Sequence, residues 1–216
     1  MDFKNLIVTS WNNTLNNIGP LLLVTFVQML LIIFSMGILA PVTTAGYVQS
    51  LLQVVREGRP PEIKDLFSQM RLFFPLFVFF LLAGIAAFIG FTLLILPGFL
   101  VVAIIAFAAF YLLPLMTDQR LGLFEALKKS WDMAMEQPVS DHMIVAIIYV
   151  AIMSLGSTLP FAFLITQPLA TFILVGAYQE KIAVLETDRG NEPPIPEETA
   201  TTESPGPEEN DNKMAS

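Results

Sequence analysis

Apolar positions fall into three long blocks. Residues 5–55, 72–117 and 143–179 contain no Asp, Glu, Lys or Arg, and short charged stretches separate them. As one helix, the middle block would reach roughly 69 Å at 1.5 Å per residue. A bilayer core is only about 30 Å thick. The block is interrupted at Leu96-Pro97-Gly98, and Pro followed by Gly suits a type II turn. The pattern therefore predicts two spanning helices with Pro97-Gly98 as the turn between them.

The flanking blocks divide in the same way. Spans one and two are expected at 18–39 and 41–55, span four from Pro97 to about Met116, and spans five and six at 143–163 and 168–185. Gly19-Pro20 opens the first span, where proline fits the first helical turn. Ahead of each pair lies an amphipathic stretch. In residues 3–17 it is Phe3, Leu6, Ile7, Trp11 and Leu15 at helical spacing. After Pro60-Pro61 it is Ile63, Leu66, Phe67, Met70 and Phe74. In the third, Phe124, Leu127, Trp131 and Ala134 oppose Glu125, Lys128, Lys129 and Asp132. Glu125–Lys129 and Lys128–Asp132 are spaced as helix-stabilising pairs. Trp11 and Trp131 suit a membrane interface.

The expected fold is all-α: a polytopic membrane helical bundle of six transmembrane helices in three hairpins, each preceded by a short amphipathic interfacial helix. Residues 1–186 form the membrane domain. A threefold repeat is expected over 3–58, 63–119 and 121–186: Lys4, Leu6 and Ile7 correspond to Lys64, Leu66 and Phe67, and Ser10-Trp11 to Ser130-Trp131. Repeats often place a binding region where units meet. Residues 187–216 read as an acidic, Pro-rich, disordered cytoplasmic tail.

Composition supports this division. The chain is 55% hydrophobic and 14% charged, where a soluble domain has about 25% charged residues. Its net charge of −8 describes the tail, since residues 191–216 hold seven carboxylates against Lys213. The acidic balance implies no basic partner for the body, and nothing suggests nucleic acid. The absence of cysteine removes disulfides, thiolate metal sites and cysteine nucleophiles. Every Lys and Arg falls on one side of the six-span topology, so both termini and the charged loops are expected in the cytoplasm.

The polar side chains within spans are Gln28, Thr43, Thr44, Gln49, Gln53 and Gln167. Val42, Gly46, Gln49 and Gln53 share a face of span two. Two readings stay open for these groups: interhelical hydrogen bonds, or a polar pathway. The lone histidine follows Asp141. Neighbouring residues on a helix do not face each other, so capping of span five by Ser140 or Asp141 is preferred to a proton relay. Glu180-Lys181 reads as an interfacial anchor. The sequence offers no catalytic residues, no metal-ligand set and no cofactor motif.

Several short motifs carry a resemblance. They are Ala40-Pro41 running into Ala45-Gly46-Tyr47, Arg56-Glu57-Gly58 followed by Asp65-Leu66-Phe67, Leu96-Pro97-Gly98, and Gly122-Leu123-Phe124-Glu125-Ala126-Leu127 running into Ser130-Trp131. Over residues 1–186 the chain resembles a bacterial six-span inner-membrane protein family of unknown function. That family is similar to the membrane domain attached to some glycerophosphodiester phosphodiesterases. The resemblance implies the architecture and a bacterial inner-membrane location, and supplies no catalytic residues. Two functions follow as expectations. The first is a non-enzymatic membrane-organising or assembly component, whose partners are the lipid bilayer and other membrane proteins. The alternative is a small-solute or lipid transporter using the polar face of span two.

Overall fold

The computed structural model describes residues 2–93, 95–136, 139–158 and 162–190. Among these residues the regular elements are all helical. In order they are α1 Phe3–Asn16, α2 Ile18–Phe34, α3 Ala40–Glu57, α4 Phe73–Leu93, α5 Ile95–Ala108, α6 Leu112–Asp118, α7 Leu123–Met135, α8 Val139–Thr158 and α9 Phe163–Gly190. Two 3-10 turns, Ile63–Phe67 and Met70–Leu72, lie between α3 and α4. Four segments are long and apolar enough to cross a membrane: Ile63–Thr92, Pro97–Asp118, Val139–Gly156 and Phe163–Thr187. The pair α1 and α2, bent by 86°, meets the same test jointly and brings the number to five. The more polar α3 is not among them. The tail expected from residue 187 begins later, since α9 continues through Gly190, and residues 191–216 lie outside the described residues.

The centre of the bundle is α3 and α9. Tyr47, Leu51 and Leu52 of α3 and Phe172, Ile173 and Tyr178 of α9 are fully buried. α9 packs on α1, α2, α3 and α8. Around this centre, α2, α4, α5 and α8 turn large apolar side chains outward, among them Phe34, Phe88, Phe99 and Ile147. Lipid imposes no penalty on such a surface.

α1 begins with Asp2, whose carboxylate accepts from the Asn5 N–H at 3.1 Å. Its inward face is Leu6, Ser10 and Thr14. Leu6 packs where a Cβ on Gly176 of α9 would stand, at 2.6 Å. Ile7, Trp11 and Leu15 stay exposed, so the apolar stripe seen in the sequence divides: these three face outward, while Leu6, joined by Ser10 and Thr14, holds the helix down. α7 repeats the arrangement, with Ala126, Ser130 and Ala134 buried and Trp131 exposed.

Several expectations are corrected. Pro97-Gly98 is not the turn between α4 and α5, because both residues lie in the first turn of α5. Proline needs no N–H partner there. Gly98 instead gives close approach: the Phe91 ring occupies the place of its Cβ, and a Cβ on Gly90 would come within 3.0 Å of the Gly98 Cα. The span expected from Pro97 to about Met116 matches the apolar segment Pro97–Asp118, but its helix is interrupted between Ala108 and Leu112. Pro114 accounts for the break, since it lacks an N–H and its ring crowds the carbonyl four residues earlier. The freed Tyr111 N–H donates to Ser130 Oγ of α7 at 3.1 Å.

The second amphipathic stretch is not an α-helix but the two 3-10 turns. It folds back along α3 with Leu66 and Leu72 buried. Gln167-Pro168 does not form a turn, because Pro168 lies inside α9. Ser140 and Asp141 sit within the first turn of α8, which begins at Val139, and not at its N-cap position. On α7, Lys129 donates to Gln119 Oε1 at 2.6 Å and Glu125 accepts from the Gly122 N–H at 3.3 Å, in place of the pairing expected between them. Lys181 is not a free anchor: it meets Glu136 at the end of α7 at 3.5 Å.

Candidate functional site

The six polar residues of the spans separate into two groups. Gln167 Nε2 of α9 donates to Gln28 Oε1 of α2 at 2.8 Å, and Gln28 Nε2 donates to Thr44 Oγ1 of α3 at 3.2 Å. Thr43 turns its hydroxyl back to the Leu39 carbonyl at 2.9 Å. A further bond of 2.9 Å joins Thr25 of α2 to Tyr47 of α3. Gln28, Thr43 and Gln167 are all buried, so these groups tie α2, α3 and α9 together. Gln49 and Gln53 belong elsewhere, at the charged end of the bundle.

That end is built from α3 outward. Gly58 terminates α3 in the left-handed conformation, φ 68°, its N–H donating to the Val54 carbonyl. Arg59-Pro60-Pro61 then reverses the chain, and the first 3-10 turn lands on α3 at Gly46. A Cβ on Gly46 would lie 2.4 Å from the Asp65 carbonyl oxygen, so only glycine permits this approach. Asp65 is drawn in beneath the reversal. Its Oδ2 accepts from Ser50 Oγ at 2.8 Å, from Arg59 Nη2 at 2.7 Å and from the Glu62 N–H at 3.0 Å. Arg59 also donates to Gln53 Oε1 at 2.6 Å.

Asp118, at the end of α6, joins three helices. It receives Arg56 of α3 through both guanidinium nitrogens and the Tyr178 hydroxyl of α9 at 2.8 Å. Donating to the Asp118 carboxylate holds the Arg56 guanidinium above its ordinary pKa, and donating to Asp65 does the same for Arg59. Both arginines stay charged throughout the accessible range.

Between these two networks is a cavity of 650 Å³. Its walls carry the amides of Gln49, Gln53 and Gln69, the carboxylates of Asp65 and Asp118, and the cations Arg59, Lys64, Arg71 and Arg120. Lys64 pairs with Glu62 at 2.7 Å. Arg71 donates to the Met116 carbonyl at 3.1 Å. Arg120 adopts φ 54°, a conformation uncommon outside glycine and asparagine. The Oε1 atoms of Gln49 and Gln69 are buried without a hydrogen-bond partner.

The sequence pointed to this place only through Gln49 and Gln53. Asp65, Arg71, Asp118 and Arg120 read there as solvated loop charge, and their meeting depends on the chain reversal after Gly58. The histidine reading changes as well. His142 is buried among Phe107, Phe110 and Tyr111, with ring centroids 4.6, 5.2 and 5.4 Å away. Neither ring nitrogen has a hydrogen-bond partner. No family model matches the chain, and neither a curated protein nor a solved structure resembles it.

Proposed function

We propose that the chain is a six-span integral protein of a bacterial inner membrane that acts by binding rather than by catalysis, as an organising or assembly component of that membrane. The observation that supports this most directly is the division of its polar groups. Gln28, Thr44 and Gln167 bind one another inside the bundle, while amides and charges of both signs line a cavity at its end. That cavity offers recognition groups: two carboxylates, four cations and three amides, beside the hydroxyls of Ser68 and Thr117. The six-span reading adds α2 and α3 to the four long apolar segments. The 18 residues of α3 reach about 27 Å, and Gln28 and the 3-10 turns cover its polar side. Kinship with the six-span bacterial family is part of this proposal, carried by the short motifs alone, with the bilayer and neighbouring membrane proteins as the partners.

Purification of the full chain in mild detergent, with identification of bound proteins and lipids, tests this reading. A partner or lipid retained in fixed stoichiometry is the expected result. A chain that purifies alone and turns over a substrate contradicts it. A small-solute or lipid permease is the second reading, favoured by the opening of Gln49 and Gln53 onto the cavity. In proteoliposomes it requires that Gln49→Leu with Gln53→Leu abolish uptake. Uptake unchanged for every solute removes it.

A further inference from the structure

The cavity wall carries more positive charge than it neutralises. Both of its carboxylates are engaged, Asp65 by Arg59 and Asp118 by Arg56. Arg71 and Arg120 have no carboxylate partner among the described residues. Arg71 gives one N–H to a backbone carbonyl and keeps the rest of its fork. Two guanidinium groups thus reach one space of 650 Å³ from different elements, Arg71 from the second 3-10 turn and Arg120 from beyond α6. A space of that size is in the range of small-molecule sites.

The second observation is independent of charge. Gln69 lines the same cavity, is nine-tenths buried, and its Oε1 has no partner; the Oε1 of Gln49 is in the same condition. An amide presents an acceptor and two donors, which suits hydroxyl groups. Guanidinium forks suit a tetrahedral phosphate, whose oxygens accept paired N–H bonds. A single carboxylate would engage one fork and leave the other unused.

We propose that this cavity binds a phosphate ester that also carries hydroxyl groups. Arg71 and Arg120 hold the phosphate, and Gln49 and Gln69 take the hydroxyls. The same chemistry is found in the headgroup of an anionic phospholipid and in a soluble sugar phosphate. The proposal rests on the reading of the chain as a binding protein only in treating the cavity as a site without turnover.

The full chain in nanodiscs separates the sources. One arm compares discs of phosphatidylglycerol with discs of phosphatidylcholine. The other titrates glucose 6-phosphate into phosphatidylcholine discs. A rise in the thermal midpoint is expected in at least one arm. Arg120→Gln should weaken the interaction about tenfold or more, and no ion pair is lost with it. Gln69→Leu should weaken it also, without lowering the midpoint of the unliganded protein. Arg71→Lys, which keeps charge and loses the fork, should fall between. No shift in either arm, or an equal shift in wild type and Arg120→Gln, overturns the site. Hydrolysis of glucose 6-phosphate that Arg120→Gln abolishes would support the site and overturn the non-enzymatic reading. Binding lost in Arg120→Gln with co-purifying partners retained supports both.

Discussion

A Cβ on Gly46 would stand 2.4 Å from the Asp65 carbonyl oxygen and 2.6 Å from that of Leu66. Backbone atoms do not move aside as the end of a flexible side chain does, so Gly46→Ala must lift the first 3-10 turn from α3. The bonds from Ser50 and Arg59 to Asp65 lengthen together. A loss of about 1–3 kcal/mol is expected, read as a lower thermal midpoint in detergent; an unchanged midpoint would mean that the turn shifts freely. His142 leads to the opposite expectation. Its two ring nitrogens are buried and unpaired among aromatic rings, and a phenyl ring fits the same surroundings without that burden. His142→Phe should raise stability by about 1 kcal/mol, and a fall would show that a partner to the imidazole exists. Gly46 was legible from the sequence as a member of the Gln49 and Gln53 face. What covers that face was not, because Asp65 reaches it only through the Gly58 to Pro61 reversal. For His142 the sequence offered only the neighbour Asp141, which helix geometry turns away from it, while its surroundings come from residues some thirty positions earlier.

Helices were legible wherever apolar residues ran long enough to demand them, and their ends were not. Pro97-Gly98 satisfies the chemistry of a turn and equally that of a helix's first turn. Packing decides between the two, and here Phe91 lies over Gly98. Pro114 was the missed signal, since a proline within an apolar run breaks the helix just before it. The small residues of α4 make a matched test. Gly84 has open space where a Cβ would go, whereas Gly90 meets the Gly98 backbone at 3.0 Å. Gly84→Ala should be neutral or stabilise by up to about 1 kcal/mol through helix propensity. Gly90→Ala should gain less, or lose stability, because α5 must move back. Thermal midpoints of the two variants in one detergent give the comparison, and identical shifts would mean that the α4–α5 contact is loose.

Over the whole molecule, hydropathy counts spans and packing contradicts the count. α3 falls outside the apolar segments because of its glutamines and hydroxyl residues, yet more than half of its residues are buried, with Tyr47, Leu51 and Leu52 at its core. Its polar face meets the 3-10 turns and Gln28 and never requires lipid exposure, which a single-sequence hydropathy average does not register. The structure also brings the charged segments to one end, through Arg56 to Asp118 and Lys181 to Glu136. A chain without cysteine allows these readings to be separated by single-cysteine labelling with an impermeant thiol reagent on intact cells. Met36 is the reporter for the turn between α2 and α3, being 91% exposed. Six spans with a cytoplasmic N-terminus require Met36→Cys and Ile165→Cys to label and Lys128→Cys to stay protected. Four spans, with α2 and α3 failing to cross, would protect Met36→Cys and Lys128→Cys and label Ile165→Cys. Five spans, with α1 and α2 crossing as one and α3 failing to cross, would reverse every element after α3, so Lys128→Cys would label and Ile165→Cys would not. The first pattern is expected. It follows from the positive-inside distribution and from the burial of α3, because a helix packed on both sides by α2 and α9 shares their depth in the membrane.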